Sequence, residues 1–434
     1  MRPTATFARS LAAIVFSIVM TACSSAGAGK APSGDEALTS QAKPVRTAEH
    51  VDGQQPAAPQ LSVNEEAKLP QEQADVVLIG SELEGLYLAR AAADEGLTVR
   101  ILDPRAAFGG QVLQGEMLFL DATTDGHGKS LVQGRVKELF DGFQSGKIRK
   151  LAEFKQYFDK LVKGIPVESG IRIQQIDAAK QPDGSEHIAD IVYTDGGGKQ
   201  RRITARTWVD NSDFAALASR LNVKRLPGLE SFYGQSRVEY MSSGYMMKFK
   251  NVDWKTWMNT VNAMKPDEKK KKFGTAYITD NYALVFDAVT KAYKPTNDRL
   301  FLRGLNAVNQ RDGEVLINAL LVFDVNPADD ASVASAMELG NKEMPYILDH
   351  FRKTLPGWEH AELNGFPAYP YIREYNHYET EYTLQVSDLL SGRMFPDNVS
   401  IGGYPLDLQG ITSNKWGIEM GRPDKYGMPL RSSC

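Results

Sequence analysis

The clearest succession of apolar and polar segments in the chain runs from residue 75 to residue 103. A short apolar run, Asp75 to Ile79, has the composition of a strand buried in a parallel sheet, and Gly80 ends it where the chain must turn. Apolar side chains then recur at helical spacing after Gly85, and a second apolar run, Thr98 to Leu102, follows. The packing side predicted for the helix consists of Leu86, Leu88 to Ala93 and Leu97. The pattern as a whole predicts a β-α-β unit.

A terminal acid makes this unit a candidate ligand site. Asp103 ends the second predicted strand, 23 positions after Gly80, where a carboxylate binds the ribose hydroxyls of an adenosine. A free carboxylate there disfavours a 2'-phosphate, so the pattern favours NAD or FAD over NADP. Glu82 stands where the middle glycine of a G-x-G-x-x-G turn lets the backbone approach the diphosphate, and we expect its charged side chain to point away from the phosphates. The alternative is a β-α-β unit that only packs.

Further along the chain, the pattern predicts a ribbon that leads back to the first sheet. A helix is expected over Lys150 to Lys163. Two strand-like runs, Ile171 to Ile176 and Ile188 to Thr194, are separated by turn residues and predict an antiparallel pair. A third run, Arg202 to Asp210, predicts a strand that rejoins the parallel sheet, and the polar residues that end it, up to Asp213, fall where open α/β folds bind ligands.

The composition changes between about Arg225 and Thr383, where aromatic residues become frequent and strands are interrupted. Strand-like runs occur around Tyr277, Leu284 to Phe286, Leu300 to Leu302 and Val315 to Val325. A long helix is expected over Ala331 to Lys353. We interpret this region as a second, mixed α/β domain inserted into the first.

The first residues have the build of a secretory signal. Arg2 and Arg9 precede an apolar run, Leu11 to Met20, that is too short to span a membrane as a mature helix. Cys23 follows a small residue and resembles the lipid-attachment cysteine of bacterial lipoproteins. The next segment, to about residue 70, is rich in Ala, Ser, Gly, Pro and Gln and predicts a flexible tether. We therefore expect a lipid anchor on the extracytoplasmic face of a bacterial membrane; the alternative is ordinary cleavage and free secretion.

Composition narrows the classes of partner. The 434 residues include 50 Lys and Arg against 54 Asp and Glu, a formal net charge of -4 that argues against a nucleic-acid partner. The only cysteines are Cys23 and Cys434, so an exported protein of this size has no internal disulfide framework. The spacing of Cys and His does not match a metal site, and no metal is predicted.

A series of motifs, in order, resembles the family of FAD-dependent oxidoreductases that open with a strand and a GSEPEG-type turn. The first motif is GSELEG at residues 80–85, with Leu83 in place of the usual proline. The others are Gly109-Gly110, WVDNSD (208–213), INALLVFDVNP (317–327), YIREYNHYETEYTLQVSDLLSG (371–392), IGGYPLDLQG (401–410) and GRPDKYGMPLR (421–431). The resemblance spans about residues 74–431.

The resemblance implies FAD as the cofactor, a small-molecule substrate, and hydride transfer between that substrate and the flavin. It also implies an α/β fold: a Rossmann-type FAD-binding domain, made of a parallel sheet and an antiparallel ribbon, with an inserted mixed α/β substrate domain. The N-terminal residues predict a signal peptide (1–22) and a tether (23–72). The remaining predicted segments are the FAD-binding domain (73–224), the substrate domain (225–385) and a return to the FAD-binding domain (386–434).

Candidate site residues follow from the same resemblance. Arg373 and Glu374 resemble the family's Arg-Glu pair, and Arg373 is the candidate clamp on an anionic or carbonyl group of the substrate. His377 is a candidate proton donor or acceptor. A structural ion pair and a structural histidine are the alternatives. The candidate cofactor-binding residues are Gly80, Ser81, Glu82, Glu84, Gly85, Asp103, Gly109, Gly110, Asp213, Tyr404 and Asp407.

The chain departs from the family pattern in two places. Asn211 and Ser212 replace Ala and Thr in the returning strand, and Asp213 adds a carboxylate. The family usually continues past the segment 421–431 into a closing strand and helix, so the resemblance implies a truncated chain that holds FAD poorly.

Two other classes of function stay open: a membrane-tethered binding protein without catalysis, and an NAD-only dehydrogenase, which the ribbon and the returning strand disfavour.

Overall fold

The computed structural model describes residues 69–125, 127–232, 236–238 and 240–401. The candidate residues Cys23, Tyr404 and Asp407 lie outside these ranges. So do the predicted signal peptide, most of the predicted tether and the motif at 421–431. The roles assigned to them stay predictions.

The first sheet is built around the predicted β-α-β unit. Strand β1 (Gln71–Ile79) leads through the glycine turn into helix α1 (Leu83–Asp94), and strand β2 (Val99–Asp103) lies parallel to β1. The apolar side chains of both strands are buried, as expected where elements cover both faces of a parallel sheet. The Rossmann-type unit is therefore confirmed, and its first strand begins two positions before the predicted boundary at residue 73.

The returning ribbon forms as predicted. Strand β6 (Gln200–Asp210) pairs in parallel with the free edge of β1. Strands β4 (Arg172–Lys180) and β5 (Glu186–Thr194) are antiparallel, and β5 continues the sheet beyond β6. A short strand β3 (Val167–Ser169), which the pattern does not predict, pairs with β2, because three residues are too few to show a period. The strand order is β3-β2-β1-β6-β5-β4.

Helix α1 buries a narrower face than the sequence predicts. Leu86 and Ala89, three positions apart on one side of the helix, are buried. Leu88 is 43% exposed because it lies on the opposite side, and Leu97 is 41% exposed because it follows the end of the helix. The predicted packing role of these two leucines is wrong.

Three helices connect β2 to β3. They are α2 (Gly110–Leu113), α3 (Val136–Gln144) and α4 (Leu151–Leu161). Helix α4 lies where the sequence predicts a helix over residues 150–163, and its aromatic residues Phe154, Tyr157 and Phe158 are buried. They pack in the same apolar cluster as α1 and β1. This helical layer covers one face of the first sheet.

A second sheet holds the remaining described strands, and its pairings are antiparallel. They are β7 (Ser243–Lys250), β8 (Ala276–Ile278), β9 (Tyr282–Val285), β10 (Leu300–Leu302), β11 (Leu305–Asn309), β12 (Val315–Val322) and β13 (Glu362–Leu363). Their order is β13-β7-β12-β11-β9-β8, and β10 also pairs with β12. The sequence pattern misses β7, β11 and β13, whereas β8, β9, β10 and β12 occur where strand-like runs are expected.

The later helices surround this sheet. They are α5 (Leu229–Phe232), α6 (Trp254–Ala263), α7 (Pro266–Phe273), α8 (Asp287–Ala292), α9 (Asp330–Thr354) and α10 (Val386–Ser391), with a 3-10 turn at Ala218–Arg220. Helix α9 matches the predicted long helix to within one residue at each end. Trp257 and Trp358 make an edge-to-face contact, with centroids 5.3 Å apart, in the core below the sheet. Over the part of the chain that is described, no helix is both long and apolar enough to cross a membrane.

One apolar cluster joins the two sheets. Met246 of β7, Val308 of β11 and Leu316 of β12 pack in the same cluster as Leu78 and Leu86 of the β-α-β unit. An ion pair crosses the same boundary, with Lys248 Nζ 2.8 Å from the buried carboxylate Oε1 of Glu116. One face of the second sheet is therefore directed toward the helical layer of the first.

Candidate functional site

The predicted ligand-binding edge is present where three parallel strands end side by side. Strand β1 ends at Ile79 between β2, which ends at Asp103, and β6, which ends at Asp210. From β1 the chain continues to β2 and β3 on one side, and it returns as β6 on the other side of β1, so the strand order changes direction at this edge. Ligands in open α/β sheets bind in the crevice beyond such a point.

The turn after β1 has room only for glycine. Gly80 adopts φ +96°, and a Cβ atom added there would overlap the backbone carbonyl of Asn211. The carbonyl oxygen of Asn211 also accepts the amide of Glu82 at 3.2 Å, while the Asn211 amide donates to Ile79 O at 2.7 Å. A Cβ on Gly85 would overlap the Asn211 side chain, whose carboxamide oxygen is buried with no hydrogen-bond partner among the described residues. The two glycines thus let helix α1 begin directly against the end of β6.

Asp103 holds the surrounding turns together. Its carboxylate accepts the Ser81 hydroxyl on one oxygen and the Arg105 amide, at 2.7 Å, on the other. The Ser81 hydroxyl oxygen in turn accepts the amide of Gly109 at 2.7 Å. Asp103 is 2% exposed, and burial raises its pKa to about 6. The carboxylate therefore supports the turn from within, and its contact with a ribose stays a prediction.

Glu82 replaces the middle glycine of the usual turn, and its side chain lies against the start of α2. Its carboxyl oxygens accept the Gln111 amide at 2.9 and 3.1 Å, and a Cβ added to Gly110 would overlap the Glu82 carboxyl. Burial, followed by the charge of Asp213, raises the pKa of Glu82 to about 8. At neutral pH the carboxyl is therefore mostly protonated. The side chain is neutral and directed toward Gly110 and Gln111.

Asp213 and Arg105 form the polar wall on the side of β6. Arg105 Nη2 lies 3.3 Å from Asp213 Oδ1, and the guanidinium is held between the rings of Phe214 and Tyr369, 4.1 and 3.9 Å from their centroids. Burial raises the pKa of Asp213 and lowers that of Arg105. Arg105 was missed in the sequence; its position two residues after the ribose acid is the signal that could have found it.

Gln111 is a second residue that the sequence analysis missed. Its side-chain amide nitrogen donates to Asp213, and its oxygen accepts the amide of Ile372 at 2.9 Å. It directly follows Gly109 and Gly110, both with positive φ, which bring the start of α2 close to the ends of β1, β2 and β6. We call the turns at these three strand ends the cradle. Gln111 therefore links the candidate cofactor cradle to the segment that carries Arg373.

Arg373 faces the second sheet. Its Nη2 donates to Asn318 Oδ1 of β12 at 3.2 Å, and its guanidinium lies 4.7 Å from the centroid of the Tyr371 ring. A Cβ added to Gly244 of β7 would lie 3.2 Å from Arg373 Nη2. The guanidinium is thus placed beside β7 and β12, in the segment that Gln111 ties to the cradle.

Glu374 and His377 lie together. Glu374 accepts the Met241 amide at 2.9 Å, its other oxygen lies 3.8 Å from His377 Nε2, and burial raises its pKa. The His377 side chain is 65% exposed. Glu84, in the first turn of α1, is also exposed. The catalytic roles of Arg373, Glu374 and His377 stay predictions.

The residues present fit an extended dinucleotide. Helix α1 begins at the turn without a side-chain cap, so its first amides are available to an anion, and a helix N-terminus favours negative charge. The protonated Glu82 does not add charge to this position at neutral pH. Gly80 and Gly85 let this helix begin directly against the end of β6, and Asp103 ends the neighbouring strand.

We expect Asp103→Ala to weaken FAD binding by about 10- to 100-fold, because the change leaves two buried donors without their charged acceptor and loosens both turns. Equilibrium titration with FAD measures the change. Asp159→Ala removes an acid from the exposed face of α4 and serves as the control. Equal affinities of Asp103→Ala and the control would contradict this role.

Comparison with known proteins gives one family and several similar solved structures. A family model described as FAD dependent oxidoreductase matches residues 75–433. The search of curated proteins found no match. Similar solved structures include THI4 of Thermovibrio ammonificans, with 21% identity over 35% of this chain and 64% of that one and a TM-score of 0.27. A geranylgeranyl bacteriochlorophyll reductase-like protein of Thermoplasma acidophilum matches at 12% identity over 68% of this chain and 65% of that one, with a TM-score of 0.35.

The match to each of these two structures spans slightly less than two thirds of the solved chain. TM-scores this low do not assign a function. The family match, in contrast, includes the β-α-β unit, the returning strand and the segment of Arg373, and it extends over most of the chain. The chain belongs to the FAD-dependent oxidoreductase family, and its cofactor is FAD.

Proposed function

We propose that this protein catalyses the oxidation or reduction of a small molecule by hydride exchange with FAD. The observation that carries the proposal is the cradle at the ends of β1, β2 and β6, which has the glycine turn, the uncapped helix and the strand-terminal acid that a dinucleotide requires. When bound, FAD supplies the hydride acceptor or donor. The protein positions the cofactor and the substrate and controls the charges around them.

Arg373 is the residue that we propose to orient the substrate. A guanidinium offers planar, paired donors to a carboxylate or carbonyl group. Asn318 and the Tyr371 ring hold it at the second sheet, and the Ile372 amide is anchored by Gln111 of the cradle. His377 is the proposed proton donor or acceptor, and its exposure lets it exchange protons with solvent.

The test of the proposed function starts from the purified full chain loaded with FAD. We expect bound flavin, seen by its visible absorption, and turnover with at least one pair from a screen of electron donors and acceptors. A protein that binds FAD but reacts with no donor or acceptor would favour the non-catalytic binding protein. Failure to take up flavin would contradict the cofactor-binding part of the proposal.

We expect Arg373→Ala to lower turnover by about 10- to 100-fold while flavin stays bound, because the change removes charged hydrogen bonds to the substrate. Arg373→Lys keeps the charge but not the paired donors and should recover only part of the activity. Arg206→Ala, at a 77% exposed arginine, is the matched control. Unchanged turnover in Arg373→Ala would remove the clamp from the proposal.

We also propose that the protein is held at the extracytoplasmic face of a bacterial membrane by a lipid on Cys23. The support is the N-terminal sequence: a charged start, an apolar run, a small residue before the cysteine and a polar tether. Several acyl chains together hold a protein firmly to a membrane.

We expect Cys23→Ala to move the mature protein from the membrane fraction to the soluble fraction, because no lipid can then be attached. Fractionation after a salt wash, with detection by immunoblot, measures this. Cys434→Ala changes the other cysteine and should stay with the membranes. Sedimentation of Cys23→Ala with washed membranes would overturn the anchor.

A further inference from the structure

Glu82 stands among several acids at the place where the FAD diphosphate is expected. We propose that binding of FAD is coupled to protonation of Glu82, so that the cradle accepts the diphosphate only when this carboxyl is neutral. The inference rests on FAD as the cofactor and is independent of the proposed oxidoreductase activity.

The geometry keeps Glu82 in place. Its two oxygens share the Gln111 amide, and the carboxyl occupies the space beside Gly110 that any larger residue there would fill. The Glu82 amide is bound at the same time to the Asn211 carbonyl. The side chain is therefore clamped between the turn after β1 and the start of α2, next to the uncapped N-terminus of α1.

The charges around Glu82 come from every element packed against it. The turn after β2 contributes Asp103 and Arg105, the end of β6 contributes Asp213, and α1 contributes Glu84. From α2, Gln111 donates its backbone amide to Glu82 and its side-chain amide to Asp213.

Among these groups the acids outnumber the one guanidinium, which pairs with Asp213. An ionised Glu82 would place another buried negative charge beside the diphosphate. The neutral carboxyl avoids this repulsion and keeps its hydrogen bond from Gln111.

The pH dependence follows from linkage. Burial, with the charge of Asp213 as the next cause, already raises the pKa of Glu82 to about 8 in the protein alone. A bound diphosphate raises it further, because a second anion disfavours the ionised form. The contribution of Glu82 to the affinity is therefore constant below about pH 7, and it falls by up to tenfold for each pH unit above about pH 8, where the free protein loses the proton that the complex retains.

The test is titration of the full chain with FAD between about pH 6 and pH 9, in wild type, Glu82→Gln and Glu95→Gln. We expect wild type to bind about fivefold more weakly at pH 9 than at pH 8, and Glu82→Gln, which mimics the neutral carboxyl, to lose this dependence. Glu95→Gln changes an exposed acid at the opposite end of α1 and should behave as wild type. Calorimetry near pH 8 in two buffers of different ionisation enthalpy should show proton uptake in wild type and none in Glu82→Gln.

Parallel pH profiles of wild type and Glu82→Gln would overturn the inference, and so would a binding enthalpy independent of the buffer. Should Glu82→Gln fail to fold, the buffer dependence of wild type decides the question alone. Absence of FAD binding by wild type near pH 6 would also overturn it. A linked proton without turnover would refute the proposed activity and leave this inference intact.

Discussion

Gly80→Ala is expected to lower the free energy of unfolding by about 3 kcal/mol and to abolish FAD retention. The residue has φ +96°, which strains any residue with a Cβ, and the added methyl would overlap the backbone carbonyl of Asn211. That carbonyl belongs to a turn and holds the Glu82 amide, so it cannot move without opening the cradle. Urea unfolding and the ratio of flavin to protein absorbance measure the two effects.

Gly96→Ala separates the effect of backbone strain from the effect of overlap with Asn211. Gly96 also has a positive φ, +83°, but a Cβ there would meet no atom within 4 Å. It should therefore show only the backbone strain, about 1 kcal/mol, with flavin retained. Equal losses of stability in the two variants would show that close packing against Asn211 contributes nothing.

Glu82→Gln is expected to stabilise the FAD-free protein by about 4 kcal/mol at pH 8 and above, an unusual gain from removing an acid. The folded-state pKa, about 8, lies above the ordinary value of 4.5. Between these values the folded state binds more protons than the unfolded state, so wild-type stability falls as pH rises. Below about pH 4.5 both states are protonated, and the variant should match wild type.

Denaturant unfolding at about pH 4.5, pH 6 and pH 8.5 measures this dependence. Glu95→Gln, at an exposed acid that follows the last turn of α1, should stay within about 0.5 kcal/mol of wild type at each pH. A Glu82→Gln protein that is equally stable to wild type at the highest pH would show that the carboxyl is not held in a buried, protonated state.

Gly80 and Glu82 determine two different properties of one site, its shape and its charge. Gly80 sets its shape, because backbone atoms meet where a side chain would stand. Glu82 sets its charge, because a buried acid replaces a glycine of the usual turn. A site that holds buried acids for function has a lower stability than its shape alone would give.

Local pattern was sufficient to predict the backbone of the cradle. The runs that form β1 and β2, the turn at Gly80 and the terminal Asp103 lie within about thirty residues, because a β-α-β unit is made from contiguous chain. The ribbon of β4 and β5 was also predicted, since two apolar runs separated by turn residues pair locally. The class of cofactor follows from the same short stretch.

Short strands and contacts between distant residues could not be predicted from the pattern of apolar and polar residues. Strand β3 has three residues and β13 has two, too few to show a period. Gln111 meets Asp213 and Ile372, which are 102 and 261 positions away in sequence. Periodicity indicates which side of an element is apolar but not which segment covers it.

The side chain of Glu82 shows most clearly which properties depend on sequence and which depend on tertiary structure. Its sequence position identified a charge in conflict with the diphosphate, and we expected it to turn away from the phosphates as an ion. In the folded chain it lies against Gly110 and Gln111, where burial raises its pKa to about 8. Burial arises when β6, α2 and the turn after β2 close around one point, and the ionisation of a carboxyl depends on that surrounding medium. The glycines and acids of the site could therefore be predicted from the sequence, whereas the contacts of Arg105 and Gln111, and the charge that the acids carry, follow from how distant segments pack together.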